Sequence, residues 1–194
     1  MVGASSRFIV LEGPDGAGKT TYVKLLAQKL RHAGFKVITA REPSDGPIGR
    51  EIRRRLKTGD TDGIGEMFLQ DREWHMNNVV LPALRKGYVV VMDRYWPSSI
   101  AYRRFNHTPP EKVYAQIRKY PEPRIIVLDA PVEVLLERVG RRSDGNFFDK
   151  REVIETVRQE YLMLAEKHGF PVVRTDRWPS EVFRDIVAHV EVLS

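Results

Sequence analysis

The sequence predicts a doubly wound α/β fold built on a parallel sheet, and three observations carry that expectation. Short β-rich runs alternate with longer helical patterns along the whole 194-residue chain. Three of the runs are almost wholly apolar, as parallel strands covered on both faces must be. The first run leads directly into Gly13-Pro14-Asp15-Gly16-Ala17-Gly18-Lys19-Thr20, a G-x-x-x-x-G-K-[ST] loop in the strand-to-helix setting that the pattern requires.

The strands are expected at Phe8–Leu11, Val37–Ala40, Tyr88–Met92, Ile125–Leu128 and Val172–Arg174. A helix over Thr20–Ala33 stops at Gly34, a residue suited to the position just past a helix end. The helical stretch from about Gly65 to Lys86 ends at Gly87, with Pro82 expected to bend or restart it. Pro131 suits the first turn of a helix over Val132–Val139. Glu152–His168 aligns Val153, Val157, Tyr161 and Leu164 on one face and stops at Gly169. A last helix is expected from Ser180, read as its cap, to Leu193. Thr108-Pro109-Pro110 reads as a loop and helix start, and no linker, repeat or low-complexity stretch divides the chain, so residues 1–194 are expected to form one domain.

A chain this long buries about 70% of its extended surface on folding. Its 42% hydrophobic and 30% charged residues are ordinary for a globular protein. The formal charge of +6 raises the question of nucleic acid, but the basic residues are dispersed and alternate with acidic ones. The clusters Arg50/Arg53-Arg54-Arg55 and Arg138/Arg141-Arg142 suit the phosphates of a small nucleotide better than a DNA or RNA backbone. With no cysteine, disulfides, thiol catalysis and cysteine-ligated zinc are excluded. The N-terminus lacks a signal-like apolar stretch and no run approaches the roughly 20 residues of a membrane span, so a cytoplasmic protein is expected.

In the phosphate loop, glycine lets backbone N–H groups turn inward around phosphates, Lys19 can reach the β and γ oxygens, and the Thr20 hydroxyl can ligate Mg²⁺. The loop names a nucleoside triphosphate as ligand but leaves the reaction open, kinase or nucleotide-driven switch. Arg41-Glu42-Pro43 and Asp93-Arg94-Tyr95 each follow a strand, so both are expected to meet the loop in one cleft. Asp93 reads as a metal ligand or as a turn aspartate, and Arg94 as a cleft cation or as half of a surface ion pair. Arg41 reads as a phosphate fork or as a surface arginine. Arg138, Arg141 and Arg142 read as partners of a helix C-terminus or as cations of a mobile flap over a γ-phosphate. Phe68 and Arg72, one turn apart, read as a base-stacking ring with an edge-reading cation, or as a core residue and an ion-pair partner. The five histidines show no ligand spacing, and no Ser-His-Asp arrangement is legible.

Taken together, these segments resemble the thymidylate kinase family over nearly the whole chain. Phe8 to Thr21 looks like its opening segment and Arg41-Glu42-Pro43 like its R-E-P loop. Met67-Phe68-Leu69-Gln70-Asp71-Arg72 is similar to its L-F-x-x-[DN]-R helix. Asp93-Arg94-Tyr95-Trp96-Pro97-Ser98-Ser99-Ile100-Ala101-Tyr102 fits its D-R-Y-x-x-S-x-x-A-Y motif. The resemblance implies a three-layer fold like that of P-loop nucleoside monophosphate kinases, a homodimer, and Mg²⁺-assisted phosphoryl transfer from ATP to dTMP. By that analogy residues 13–21 hold ATP, Thr20 and Asp93 hold the metal, and Asp15 meets the sugar 3′-hydroxyl or the metal shell. Arg41 and Arg94 hold the acceptor phosphate, Phe68 stacks on thymine, Arg72 reaches its O4, Ser98 and Ser99 line the base pocket, and Tyr102 excludes a 2′-hydroxyl. Gly16 stands where some members carry an arginine; the others place it in a lid, here at about 138–149, which makes Arg138, Arg141 and Arg142 the candidates. The chain departs from the family pattern at Arg103, where many members have Gln, and at Ser44-Asp45-Gly46.

Overall fold

The structure is a computed structural model that describes residues 7–141 and 147–190. Five strands form one sheet: β1 (Phe8–Glu12), β2 (Val37–Arg41), β3 (Val89–Asp93), β4 (Arg124–Asp129) and β5 (Val172–Arg174). All are parallel, in the order β2-β3-β1-β4-β5. The chain leaves β1 toward β2 on one side and later crosses β1 to reach β4 on the other. The end of β1 is therefore the switch point where an open parallel sheet leaves a crevice for ligands.

Side chains alternate across a strand, and here both alternating sets are apolar. Phe8, Val10, Val90, Met92, Ile125 and Val127 face one core. That layer is completed by residues of α3 (Ile64–His75), α4 (Leu81–Arg85), α5 (Trp96–Ala101), α7 (Pro110–Ile117) and α9 (Arg151–His168). Ile9, Leu11, Val89, Val91, Ile126 and Leu128 face the other core, under α1 (Lys19–His32), α8 (Val132–Gly140) and α10 (Pro179–Ala188). The three-layer doubly wound sheet expected from the sequence is thus present, with every expected strand placed to within one or two residues.

Three departures have local causes. The last helix begins at Pro179, whose missing N–H costs nothing in a first turn, so Trp178 and not Ser180 occupies the cap. Its described end is Ala188, and Leu193 lies outside the described residues. Within the long helical stretch, Pro82 falls in the first turn of α4, and the chain passes into it without a break through a π-helical turn over Met76–Val80. The sequence reading also passed over α2 (Pro47–Thr58), which is rich in arginine and buries only Gly49 and Ile52. A short α6 (Arg103–Asn106) follows α5.

The helix layer around the site is packed without slack at Gly65, where a Cβ would stand 2.4 Å from the carbonyl oxygen of Asn106. Gly65→Ala is expected to force α3 from α6 and to cost about 1–3 kcal/mol. An unchanged denaturant midpoint for this variant would contradict that packing.

Candidate active site

β1 ends at Glu12, and the phosphate loop turns the chain into α1. Gly13 has φ 136° and Gly16 has φ 84°, backbone that side chains rarely adopt. A Cβ on Gly16 would also lie 2.6 Å from the carbonyl oxygen of Leu135, so a side chain here would require the Leu135 backbone to shift. Lys19 is buried and its Nζ donates to the carbonyl of Pro14 at 2.8 Å. Burial, aided by the Arg94 guanidinium, holds the Lys19 ammonium down to about 8, while Asp15, Asp93 and Glu12 pull the other way. Thr20 Oγ1 donates to Asp93 Oδ2 at 2.5 Å. A hydroxyl and a carboxylate so close are hard oxygen donors of the kind Mg²⁺ takes when phosphates complete its shell.

Arg94 follows β3 with φ 70°, in the left-handed region. Its N–H bonds the carbonyl of Leu11 and turns the side chain back over the end of β1. Nη1 donates to the Gly13 carbonyl at 3.2 Å, Ser98 Oγ at 3.1 Å and the Tyr161 hydroxyl at 3.0 Å. Nη2 donates to Asp15 Oδ1 at 2.8 Å and the Tyr102 hydroxyl at 3.2 Å. Tyr102 in turn donates to Asp15 Oδ2 at 3.0 Å. Burial alone would raise the Asp15 carboxyl, but Arg94 and Lys19 bring it well below the usual range. Behind this cluster stands Glu12, fully buried, which accepts from the Tyr95 N–H at 2.6 Å and from Ser98 and Tyr161 at 2.8 Å each.

A cavity of about 210 Å³ runs from Asp15 and Arg94 to Phe68 and Arg72, and Arg53, Ser98, Ser99, Tyr102 and Phe148 complete its walls. Arg72 is 1% exposed and pairs with Glu42, Nη2 to Oε2 at 2.7 Å and Nε to the same oxygen at 3.0 Å. Its Nη2 also reaches Ser99 Oγ at 2.8 Å. Burial pushes the Glu42 carboxyl up to about 7 against the pull of Arg72. Arg72 Nη1 is buried and has no hydrogen-bond partner among the described residues. Arg72 is thus an ion-pair partner of Glu42 that also lines the cavity, with its Nη1 buried and unpartnered among the described residues.

The other expected residues divide. Arg41, at the solvent-facing end of β2, pairs with Asp45 at 2.6 Å and lines a neighbouring cavity with Thr20, Lys24, Trp74, His75 and Asp93, apart from Arg94. The fork that joins Arg94 in one cavity is Arg53, whose Nη1 donates to the carbonyls of Pro43 and Ser44. Arg138 is tied to the phosphate loop and to β5, donating to Gly16 O at 3.3 Å and to Thr175 O at 2.7 Å. Arg141 is exposed and pairs with Glu137. Arg142 lies outside the described residues, and Thr21 is exposed on the first turn of α1. Arg103 turns away from the cavity to Glu160 of α9, at 2.5 Å, so this departure from the family pattern braces two helices. Sequence reasoning missed Glu12, Phe148 and Tyr161 as site residues, and read Arg53 only as part of a phosphate-suited cluster. For Arg53 a signal existed in the spacing of Ile52 and Leu56 between Pro47 and Gly59, which marks the unrecognised helix.

The family model described as thymidylate kinase matches residues 11–186. A probable thymidylate kinase of Pyrococcus abyssi is 40% identical over 196 residues, covering 95% of both chains. One of Thermococcus kodakarensis is 37% identical over 202 residues, covering 96% of this chain and 98% of that protein. One of Caldivirga maquilingensis is 33% identical over 190 residues, covering 95% and 93%. With its loop, its left-handed Arg94 and its Phe68–Arg72 cavity in the positions the four motifs imply, the chain belongs to the thymidylate kinase family.

Proposed function

We propose that this site transfers the γ-phosphoryl group of ATP directly to dTMP, giving dTDP, with Gly13 to Thr21 as the donor half and the Arg94–Arg72 cavity as the acceptor half. The observation that carries the reading is that one cavity joins the loop-end residues Asp15 and Arg94 to Phe68 and Arg72. The free Nη1 of Arg72 is a buried donor matched to a pyrimidine carbonyl, and the Phe68 ring offers a face to the base. The Tyr102 hydroxyl, held on Asp15, supports its reading as the group that excludes a ribose 2′-hydroxyl.

The acceptor phosphate is already ionised at neutral pH, so the protein has to gather anions rather than supply a general base. Two unit charges 4 Å apart repel by roughly 4 kcal/mol at an effective dielectric of 20. Lys19 faces the donor phosphates, and Arg94 and Arg53 face the acceptor. Mg²⁺, held through Thr20 and Asp93, neutralises charge on the β and γ oxygens when bound. Arg138, fixed beside Gly16, supports a role at the rim of the donor site, while Arg141 and Arg142 remain the cations of a lid over residues 138–149. A homodimer is implied by the family resemblance and sedimentation would test it; the single domain and the cytoplasmic setting remain readings of the sequence, which shows no linker and no signal-like or membrane-length apolar run. Among the described residues no helix is long and apolar enough to cross a membrane.

ADP release from ATP and Mg²⁺ is expected to depend on dTMP, and a panel of pyrimidine monophosphates should rank dTMP first. Equal rates with another deoxypyrimidine monophosphate, or fast hydrolysis with no acceptor, would overturn the reading. Arg94→Ala should lower kcat about 10²-fold or more and raise the KM for dTMP; unchanged values would remove Arg94 from the acceptor phosphate. The Lys19 ammonium is intact below about 8 and is lost as pH rises through it. ATP affinity should therefore fall about tenfold from about pH 7 to about pH 9, phosphates favouring the charged lysine. A calorimetric Kd that stays constant over that range would contradict this.

A further inference from the structure

The acceptor cavity has a second ring beside Tyr102 in its wall, and no sequence motif singled it out. Phe148 lies in the short 3-10 helix Phe147–Asp149, ahead of α9. It is buried, lines the cavity with Tyr102, and meets the Tyr102 ring edge to face, 5.1 Å between centroids at 68°. Phe148 also meets Phe105 of α6 at 6.4 Å, again edge to face. The Arg94 guanidinium lies 5.1 Å from the Tyr102 ring centre.

Tyr102 is therefore held in two different ways. Polar groups hold its hydroxyl, which donates to Asp15 at 3.0 Å and accepts from Arg94 at 3.2 Å. Both partners are also groups that the acceptor would engage, Asp15 through the sugar or the metal shell and Arg94 through the phosphate. Bound dTMP thus competes for the polar hold on Tyr102 when the position of that ring matters most. Phe148 holds the ring itself, through a contact that no phosphate or metal can take.

We propose that Phe148 is a positioning residue for sugar selection: it keeps the Tyr102 ring in the cavity wall, so that the cavity rejects a ribose 2′-hydroxyl. This rests on Tyr102 being the group that excludes the 2′-hydroxyl, and it names what keeps Tyr102 there. A pocket that lacks room for a hydroxyl, rather than bonding to it, discriminates by only about 10²-fold. It does so only while its wall cannot move. An edge-to-face ring pair adds up to about tenfold to the hold on a ring, beyond the area it buries.

Calorimetric Kd values of the whole protein for dTMP and for 5-methyluridine 5′-monophosphate, its ribose counterpart, test this. Phe148→Leu removes the ring and keeps the position apolar. It should lower the preference for dTMP about tenfold, chiefly by tightening the ribonucleotide. Should that variant not fold, Phe148→Met reads the same ratio. A merely structural Phe148 would weaken both nucleotides together, so an unchanged ratio overturns the proposal. In a Tyr102→Ala background, Phe148→Leu should leave the ratio where Tyr102→Ala alone puts it. A further fall would mean that Phe148 acts on the sugar without Tyr102, which also overturns the proposal. A wild-type ratio in Tyr102→Ala would instead remove the reading of Tyr102, and this inference with it. A relaxed ratio in Tyr102→Ala beside an unchanged one in Phe148→Leu removes the inference alone.

Discussion

A guanidinium withdrawn from water costs several kcal/mol unless its donors are met, and Arg94 is such a group. The chain meets that cost with one carbonyl of the phosphate loop, one carboxylate and three hydroxyls. These come from the phosphate loop, from α5 and the residue that follows it, and from α9, elements that are distant in sequence. The left-handed backbone at Arg94 is a strained choice for a side chain of that size. It persists because Glu12 fixes the next residue, Tyr95, from one side while Leu11 fixes the Arg94 N–H from the other. Burial raises the Glu12 carboxyl, with Arg94 the largest opposing influence, so its place behind the cluster depends on that cation.

The acceptor half of the site inherits its rigidity from this cluster. Ser98 and Tyr102 lie one helical turn apart and touch Arg94 with their hydroxyls, and Ser99 faces the other way to hold Arg72. One short helix therefore sets the spacing between Arg94 and Arg72. Glu42 and Tyr95 complete the clamp on Arg72, leaving its Nη1 without a partner among the described residues. A site built this way discriminates by geometry, because a base that cannot accept from that group leaves a buried donor unpaired.

How much of this was legible depended on what each residue type can signal alone. Apolar runs such as Tyr88-Val89-Val90-Val91-Met92 have few alternatives to a covered strand, so the sheet followed from composition. The G-x-x-x-x-G-K-T spacing and Arg94 beside Asp93 were legible because position in a parallel sheet converts a strand end into a cleft residue. Helix α2 was missed because its arginines mask a stripe of only a few buried positions, so Arg53 could be read as one of a basic cluster but not placed on an element. Glu12 and Tyr161 were silent for another reason. A glutamate at a strand end and a tyrosine on an apolar helix face acquire roles only when folding brings residues 149 positions apart into contact. Arg41 carries two signals: its motif points to the acceptor phosphate, and at the exposed end of β2 its side chain lines the neighbouring cavity with Thr20 and Asp93.

The central claim is that the acceptor phosphate meets Arg94 at the end of β1, where the donor loop begins. A crystal structure with dTMP and a non-hydrolysable ATP analogue tests it most directly. The account predicts the dTMP phosphate within hydrogen-bonding distance of Arg94, the base between Phe68 and Arg72, and Arg41 outside that contact. A dTMP phosphate held by Arg41 beside Thr20 and Asp93, with Arg94 still closed on Asp15, would contradict it.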